Sequence, residues 1–391
     1  MDKICENNLC TGCTACYSIC PKNAITMIEN EEGFKYPVID NAKCIDCQMC
    51  KKTCPILKTE KNESLNECYA AFSKDKKIRE NGSSGGIFQI LAEDILNKNG
   101  IVIGAAFDKK FVLSHIPIEK YQDLDKLLGS KYVQSDMKKI YKYIKDNLKD
   151  RLILFVGTPC QVAGLKSYIK ENNENLITID FICHGVPSNK VFQKYIKEIE
   201  EKNEKKISYY SFRNKENGWK NFNTKIVIGQ DEIVEQHNKN NYMKIFLWDL
   251  ALRQSCYNCK FKLGNKYSDI TLGDFWGIEN MPQIIENDDG GVSSVIINTI
   301  KGKRFFEENK EKIIYNRCKI EDILKINTAL KESVQLPKNR KKFFINIDKY
   351  TTDELIKKYI KKESKIILAI RKIKGIIKKK LNGGRNGKNQ K

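Results

Sequence analysis

The sequence predicts a protein of two parts: a small cysteine-rich α+β domain, followed by a larger α/β domain built on a mixed sheet. Nine of the 15 cysteines lie in the first 60 residues, and the remaining chain alternates short apolar segments with segments of helical periodicity. Such alternation is typical of α/β domains. The length of 391 residues is sufficient for two or three domains, each with its own core.

The composition excludes several classes of protein. Hydrophobic residues make up 41% and charged residues 30% of the chain, as in ordinary globular proteins, and no run of about 18 apolar residues occurs. The first residues lead into cysteines rather than into a signal peptide, so we expect a cytoplasmic protein. In a reducing compartment, 15 cysteines indicate metal or redox chemistry rather than disulfides.

The net charge of +21 is distributed unevenly, which argues against a nucleic-acid partner. Residues 351–391 carry 14 basic and 3 acidic side chains. Isoleucines and leucines recur every three or four residues over 355–381, a pattern that predicts a basic amphipathic helix, with a disordered segment at 382–391. Residues 337–391 are assigned to this helix and tail. The helix either contacts an anionic membrane peripherally or docks on its own domain.

The amino-terminal cysteines form two copies of one motif, C-x2-C-x2-C-x3-C-P, 34 residues apart. The copies consist of Cys10, Cys13, Cys16 and Cys20, and of Cys44, Cys47, Cys50 and Cys54. In this spacing, three thiolates of one loop bind one 4Fe-4S cluster, and the fourth cysteine binds the cluster of the other loop. Cys54 is therefore predicted to complete the first cluster, and Cys20 the second.

Residues 1–60 resemble a bacterial two-cluster 4Fe-4S ferredoxin, which implies a small ferredoxin-like domain. The segments 24–28 and 34–39 predict a short hairpin between the two cysteine loops. A pair of zinc sites is the alternative, but zinc favours two CxxC pairs separated by a longer spacer. Cys5 and Cys68 lie outside the motifs and are expected to be plain buried thiols.

The remaining chain predicts alternating elements after a polar linker at 57–67. Apolar segments predict strands at 68–72, 101–107, 152–156 and 176–182, and helical periodicity occurs at 87–97, 137–147, 161–170 and 189–201. Further strands, of the antiparallel kind, are predicted at 206–212, 223–228 and 292–299. We therefore expect a mixed sheet.

A glycine-rich segment, Asn-Gly-Ser-Ser-Gly-Gly at 81–86, precedes the first of these helices. A helix amino terminus after such a turn exposes backbone N–H groups and the positive end of the helix dipole, which suits a pyrophosphate. The spacing fits neither the dinucleotide-binding fingerprint nor the phosphate loop of nucleotidases, so a simple capped turn is the alternative.

Four later cysteines lie in loops that follow predicted strands or a predicted helix. Cys160 and Cys183 follow two consecutive strands, and Cys256 and Cys259 form a CxxC pair after a helix predicted at 242–253. If the two strands are parallel neighbours, both single thiols lie at the same edge of the sheet. The four thiols are candidate ligands of another iron–sulfur cluster.

Three alternatives remain open for these cysteines. Cys160 at a helix amino terminus is a candidate nucleophile with His184 as its base. Cys256 and Cys259 are candidate ligands of a structural zinc ion. The four cysteines could also be inert core thiols, which is what we expect of the isolated Cys318.

A strand that passes into a glycine-bounded turn is predicted at 268–277. Asp269 and Asp274, beside Trp276, are candidates to line a flavin or cluster pocket, and a turn with an aromatic plug is the alternative.

Together these motifs resemble the coenzyme F420 hydrogenase/dehydrogenase beta-subunit family, in the form that carries an amino-terminal ferredoxin domain. The resemblance extends from Cys10 to about Leu336, and it assigns residues 61–336 to a larger flavin and iron–sulfur domain. Its markers are the motifs at 84–86, 129–132, 157–161, 183–188, 256–259 and 269–277.

The resemblance implies an iron–sulfur flavoprotein oxidoreductase that binds FAD and a third 4Fe-4S cluster in the larger domain. It places FAD near Ser84, Gly85, Gly86, Lys131 and Tyr132, and it makes Cys160, Cys183, Cys256 and Cys259 the ligands of the third cluster. A redox partner protein or ferredoxin-type donor is also expected. Basic side chains around a flavin cleft would favour a small anionic substrate, because a positive cleft raises its local concentration.

The family label does not assign coenzyme F420 as the substrate, because members of this type also occur beside polysaccharide-biosynthesis enzymes. The first alternative is a non-catalytic electron-transfer subunit of a larger redox complex. The second is a zinc-stabilised binding module without a redox role.

Overall fold

The computed structural model describes residues 3–58, 64–263, 267–286 and 288–360. In these ranges the strands are β1 Ile25–Glu29, β2 Lys35–Ile39, β3 Glu67–Ser73, β4 Ile101–Phe107, β5 Leu113–Ile118, β6 Ile153–Gly157, β7 Leu176–Phe181, β8 Ile207–Asn214, β9 Asn223–Ile228, β10 Asp231–Gln236, β11 Ile270–Asp274, β12 Ser293–Ile297 and β13 Ile313–Cys318. The α-helices are α1 Ala15–Ile19, α2 Met49–Thr53, α3 Lys76–Asn81, α4 Ile87–Asn97, α5 Ile140–Asn147, α6 Pro159–Ile169, α7 Asn189–Asn203, α8 Asn241–Leu247, α9 Ile300–Glu308, α10 Ile320–Leu324, α11 Arg340–Ile345 and α12 Thr352–Tyr359.

The larger domain is built on a mixed sheet, as predicted. Within the described ranges, its eight strands have the order β13-β3-β12-β11-β7-β6-β4-β5. The central strands β11, β7, β6 and β4 are parallel, and the strands on both sides of them are antiparallel. Both faces of a central parallel strand are buried, which explains why these segments read as continuous apolar runs in the sequence.

Helices cover both faces of this sheet. Helix α4 begins after Gly86, whose φ of 81° is easily adopted only by glycine, and packs Ile87, Ile90 and Leu91 on one face. Helices α5 and α6 cover the other face with a separate apolar cluster. The loops that follow the parallel strands therefore emerge at one edge of a rigid, two-sided core.

Helix α8 is shorter than the predicted helix at 242–253. It ends at Leu247, because the chain turns at Asp249 with a left-handed φ of 58° and then pairs Leu252 with Pro187 in an isolated bridge. Arg253 consequently leaves the turn with its side chain in the protein interior, where it is 1% exposed.

The carboxyl-terminal part of the described chain packs on the larger domain. Leu355 and Tyr359 of α12 are buried in the same apolar cluster as α7, α8 and the antiparallel strands β8 and β9. The rest of the predicted amphipathic helix, and the predicted disordered segment, lie outside the described residues. No helix in the described ranges is long and apolar enough to span a bilayer.

The amino-terminal domain contains the predicted hairpin, β1 paired with β2, and lies directly against the larger domain. Glu32 forms a bidentate ion pair with Arg340, at 2.6 and 2.8 Å. Gly164 of α6 lies so close to the first cysteine loop that an added Cβ would meet the Cβ of Cys13 at 3.0 Å. This close approach brings the cysteine loops to the edge of the sheet where β6 and β7 end.

Candidate functional site

Four thiols of the amino-terminal domain lie together near α6. Cys10, Cys13 and Cys16 of the first motif neighbour Cys54 of the second, which is the crosswise grouping that the spacing predicts. Burial raises the pKa of Cys13 to about 12, and the Cys54 and Cys10 thiols act in the same direction. Thiols held this close together favour a shared cationic group that replaces their protons.

The other four thiols of the two motifs line a small cavity of about 20 Å³. They are Cys20, Cys44, Cys47 and Cys50. The backbone N–H of Ala24 donates to Cys20 Sγ at 3.2 Å, and Cys47 is exposed to solvent. The fourth cysteine of each motif therefore lies with the first three cysteines of the other motif. The second group of four lies nearer to the surface.

Cys5 is not the plain buried thiol that the sequence led us to expect. It hydrogen-bonds with the thiols of Cys10 and Cys54, and these bonds raise the pKa of Cys5. The bond from Cys5 lowers the pKa of Cys10 to about 6 against the opposing effect of burial, and the charge of Arg253 also lowers it. Cys5 is therefore a fifth thiol in direct contact with the first group.

The four later cysteines, far apart in sequence, surround one cavity of about 30 Å³. Strands β6 and β7 are parallel neighbours, as expected, so Cys160 and Cys183 leave the sheet at the same edge. The loop after α8 brings Cys256 and Cys259 to the same cavity. Burial raises the pKa of Cys183 to about 12 and that of Cys256 to about 11.

The sulfur atoms of this group accept hydrogen bonds from the surrounding chain. The backbone N–H of Val186 donates to Cys256 Sγ at 3.4 Å, and that of Phe261 donates to Cys259 Sγ at 3.4 Å. Hydrogen bonds to thiolate sulfurs are a means by which proteins tune iron–sulfur clusters. The chemistry of this donor set, four thiols with amide support, fits an iron–sulfur cluster.

The geometry does not favour the nucleophile hypothesis for Cys160. A nucleophilic thiol needs a lowered pKa, whereas burial and the thiols around Cys160 raise its pKa. His184 is engaged elsewhere, with Nε2 at 2.5 Å from Oδ1 of Asp249.

A much larger cavity, of about 710 Å³, lies beside this group at the carboxyl ends of the four parallel strands. Binding sites of open α/β sheets lie at this end of the strands, and the volume is within the range of about 300–1,000 Å³ that is usual for ligand pockets. Ser84, Gly86, Lys131 and Tyr132, which the resemblance places near FAD, line the cavity. Gly85 does not line it.

Gly85 instead packs against the sheet. An added Cβ would lie 2.4 Å from the carbonyl oxygen of Ala71, and the Gly85 N–H donates to Ser293 Oγ at 2.9 Å. Ser84 Oγ donates to the carbonyl of Val292 at 2.8 Å. Hydrogen bonds to the strand segment at Val292 and Ser293 thus fix the glycine loop on the side away from the cavity. The start of α4 therefore faces the cavity.

Lys131 and Tyr132 form part of the opposite wall. Lys131 Nζ donates to the carbonyls of Leu128 and Gly129, at 2.8 and 3.2 Å, and burial lowers the pKa of Lys131 to about 7. The ring of Tyr132 stacks on Phe246 with the centroids 4.5 Å apart. Lys131 therefore loses its charge near neutral pH, and Tyr132 is a rigid aromatic surface.

Arg213, which nothing in the sequence indicated, crosses the cavity wall from β8. Its guanidinium forms two bonds to the Asp274 carboxylate, at 2.7 and 3.1 Å, and donates to the carbonyl of Ser83 at 2.9 Å. Asp274 and Trp276 line the cavity, as predicted, and Trp276 stacks on Trp219. Arg213 thereby ties the glycine loop, the end of β11 and the ribbon β8–β9 together.

Asp269, by contrast, does not line the cavity. The residue is 1% exposed, and its carboxylate accepts hydrogen bonds from Thr178 N and Oγ1 at 2.8 and 2.7 Å. Thr299 Oγ1 donates to its other oxygen at 2.8 Å. Asp269 joins β7, β11 and the start of α9, so its role is structural.

Two buried polar atoms of the lining fit a polar ligand. Arg213 Nε and Gln89 Oε1 have no hydrogen-bond partner among the described residues, and both side chains line the large cavity. A buried polar group left unpaired costs about 1–3 kcal/mol, so a donor and an acceptor of this kind favour a ligand that pairs with them. A dinucleotide cofactor has both phosphate oxygens and ring N–H groups.

The large cavity and the cavity of the later cysteines share one wall. Cys183, His184 and Ala329 line both of them. The ring of His184 lies edge-on to Phe246, at 5.2 Å between centroids, which fixes it at this boundary. A group bound by Cys183 would therefore lie directly beside a ligand in the large cavity.

His115 on the cavity wall gives a testable pH effect. Its Nε2 lies 3.0 Å from the carbonyl of Val156 and its Nδ1 lies 2.8 Å from Ser135 Oγ. Burial lowers the pKa of His115 from 6.5 to about 4. Between these pH values the imidazole is protonated in the unfolded chain but neutral in the folded chain, so a fall in pH favours unfolding. From pH 7.5 to pH 5 this residue should remove about 2 kcal/mol of stability.

The variant His115→Gln is therefore expected to lose less stability over that pH interval than the wild type, in anaerobic urea unfolding followed by tryptophan fluorescence. His237→Gln, a change at the half-buried rim of the same cavity, is the control. An equal fall in the wild type and in His115→Gln would contradict this account of His115.

Comparison with known families identifies the class of protein. Sequence models of the N-term and the C terminus of the coenzyme F420 hydrogenase/dehydrogenase beta subunit match residues 68–142 and 150–323, which together exceed half of the chain. The chain belongs to this family, as the resemblance predicted. A 4Fe-4S dicluster domain matches residues 9–56. The protein is thus of an iron–sulfur oxidoreductase family whose members transfer electrons.

Individual relatives are distant. A subunit of the F(420)H(2) dehydrogenase of Methanosarcina mazei is 24% identical over 219 residues, which is 50% of this chain and 60% of that protein. An uncharacterized protein of Methanocaldococcus jannaschii is 24% identical over 382 residues, which is 87% of this chain and 96% of that protein. The coenzyme F420-dependent sulfite reductase of the same organism is 25% identical over 42% of this chain, and the match spans 26% of the reductase.

Among solved structures, a chain of the F420-reducing NiFe hydrogenase complex from Methanosarcina barkeri is similar, with a TM-score of 0.46 and 16% sequence identity. The match covers 68% of this chain and 88% of that chain.

Proposed function

We propose that the protein is an iron–sulfur flavoprotein oxidoreductase. It binds three 4Fe-4S clusters and FAD, and it passes electrons between the clusters, the flavin and a small anionic acceptor, coenzyme F420 or another. One observation carries this proposal: four cysteines from distant parts of the chain surround a cavity that shares a wall with the cavity of about 710 Å³. This arrangement provides a one-electron site beside a site for a large cofactor.

The proposed cluster sites form a continuous series. The group that contains the exposed Cys47 and the group that contains the buried Cys54 each include one cysteine from the other motif. Cysteines of both groups also pack in one apolar cluster with Cys160, Cys259, Phe261 and Ala163. Cys183 then borders the large cavity. Electrons that enter at the exposed end would thus pass through three adjacent groups of thiolates before they reach the cofactor.

The large cavity has the features that FAD requires. The N–H groups at the start of α4 are suited to a pyrophosphate, and the ring of Tyr132 is suited to stacking. When bound, FAD would exchange a hydride on one side for single electrons on the other. The chain itself orients the cofactor and excludes water from the wall that contains Cys183.

The charged side chains of the lining largely balance one another. Lys131, Arg213 and Lys220 line the large cavity, opposed by the carboxylates of Asp180 and Asp274. Arg213 is paired with Asp274, and Lys220 with Glu279. The positive end of the α4 dipole is therefore the feature that favours the phosphates of a cofactor.

A redox partner protein or ferredoxin-type donor is proposed to dock at the exposed cluster, in the cytoplasm. Peripheral membrane contact through residues 352–391 stays a proposal of its own. Deletion of residues 361–391, which keeps the packed helix α12, should abolish sedimentation with anionic liposomes, and unchanged sedimentation would contradict the contact.

The proposed activity is tested with the purified protein alone. After anaerobic reduction by dithionite and removal of the excess, the protein is mixed with a deazaflavin or a nicotinamide acceptor, and the reoxidation of the flavin and the clusters is followed optically. We expect multiple turnovers with one of these acceptors. Reoxidation by a redox protein but by no small acceptor would instead favour the alternative, a non-catalytic electron-transfer subunit of a larger complex.

A further inference from the structure

Arg253 differs from the other buried arginines of this chain. Four arginines in the described ranges are buried: Arg79, Arg213, Arg253 and Arg340. Three of them are neutralised by a carboxylate, Arg79 by Asp288, Arg213 by Asp274 and Arg340 by Glu32. Arg253 is the most deeply buried of the four, at 1% exposure, and no carboxylate in the described chain forms an ion pair with it.

The partners of Arg253 are neutral groups and one thiol. Its Nε donates to the carbonyl of Cys10 at 2.7 Å, and its two NH groups donate to Gln134 Oε1 and to the carbonyl of Lys35, each at 3.0 Å. The same guanidinium lies 3.7 Å from Cys10 Sγ and stacks on the ring of Tyr36 at 4.2 Å. These contacts fix the position of the charge, and the one acidic group among them is the thiol of Cys10, itself a ligand of a proposed cluster.

The location of this charge is specific. Arg253 touches Cys10 of the first thiol group on one side, and on the other side it lines the cavity formed by Cys160, Cys183, Cys256 and Cys259. An isolated charge in a protein interior is strongly unfavourable unless an opposite charge compensates it. A cubane with four thiolate ligands carries a net negative charge, and such a group on either side would provide the compensation.

We infer that Arg253 is the shared counter-ion of two iron–sulfur clusters, the one at Cys10, Cys13, Cys16 and Cys54 and the one at Cys160, Cys183, Cys256 and Cys259. Its positive charge favours the reduced, more negative state of both clusters, and so raises their reduction potentials relative to the surface cluster. Arg253 does not react itself. By raising these two potentials, it favours electron transfer from the surface cluster of the ferredoxin domain towards the flavin. The inference rests on the proposed function, since it needs clusters at both places.

The test is an EPR-monitored redox titration of anaerobically purified full-length protein and its Arg253→Gln variant. Loss of the charge should lower the ratio of reduced to oxidised cluster at a fixed potential at least tenfold for the two inner clusters, which corresponds to a shift of about 59 mV for a one-electron couple. The surface cluster at Cys20, Cys44, Cys47 and Cys50 is the internal control, because Arg253 does not line its cavity. Its potential should be unchanged.

Two further variants separate charge from packing. Arg253→Lys keeps the charge and should retain most of the wild-type potentials. Arg340→Gln removes a buried arginine that already has a carboxylate partner, so the potentials should remain those of the wild type.

The outcomes are distinct. Unchanged potentials in an Arg253→Gln protein with full iron content would overturn the inference, as would loss of iron from both the Gln and the Lys variants, which would indicate a packing role. Loss of iron from Arg253→Gln alone supports it, because the charge is then needed to retain the clusters. A wild-type protein without iron and sulfide would refute the proposed function itself, before any variant is compared.

Discussion

Replacement of Cys256 by alanine should lower the iron content of the anaerobically purified protein from about twelve to about eight atoms per chain. Cys256 lies on the cavity that Cys160, Cys183 and Cys259 also line, and the neighbouring thiol that raises its pKa is Cys259. A cluster with three thiolates and a vacated fourth position in this buried cavity is expected to be lost on purification. The ferredoxin pair should remain, with its absorbance near two thirds of the wild-type value.

The matched control is Cys318→Ala. Cys318 is half-buried on β13, faces Cys68 across the strand pair, and lies outside all three groups. Its removal should leave the iron and sulfide contents unchanged. If Cys256→Ala retained about twelve irons, the third cluster would have to be elsewhere or absent, and the assignment of the later cysteines would be wrong.

Replacement of Arg213 by methionine should destabilise the protein by about 3–5 kcal/mol, because it leaves a carboxylate without its buried counter-charge. The side chain of Arg213 is 2% exposed and that of Asp274 is 19% exposed, so water compensates only in part for the lost guanidinium. The same change removes the bond to the carbonyl of Ser83, which holds the glycine loop. We therefore also expect purified Arg213→Met to contain little flavin.

Arg79→Met is the control for this variant. Arg79 forms a similar bidentate pair with Asp288, but the side chain of Asp288 is 67% exposed and remains hydrated when the arginine is lost. The expected cost is about 1–2 kcal/mol, with normal flavin content. Anaerobic urea unfolding, followed by the fluorescence of tryptophans such as Trp219 and Trp276, measures both changes. Equal destabilisation by the two variants would contradict the role given to Arg213.

The sequence predicted those parts of the fold whose determinants are local. The strands β4, β6 and β7 read as continuous apolar runs because they are buried on both faces, and α4 begins where the glycines allow it. The crosswise grouping of Cys20 and Cys54 follows from the spacing of the motifs alone. The end of α8 was predicted wrongly, because the left-handed turn at Asp249 has no strong local signal.

The polar residues around the cavities could not be predicted, because each acts through contacts that are distant in sequence. Arg253 and Cys10 are 243 residues apart, and Arg213 and Asp274 are 61 residues apart. His115 is one of only three histidines, yet nothing near it in the sequence indicates a buried ring. For Cys160 and Cys183, the sequence provided a conditional prediction, which the parallel pairing of β6 and β7 then fulfilled.

We propose that three groups of thiolates hold 4Fe-4S clusters in series beside FAD. This proposal is tested by quantification of iron, acid-labile sulfide and flavin in protein purified without oxygen. About twelve irons, about twelve sulfides and one FAD per chain are expected, in a brown preparation. A colourless protein that contains zinc but neither sulfide nor flavin would contradict it.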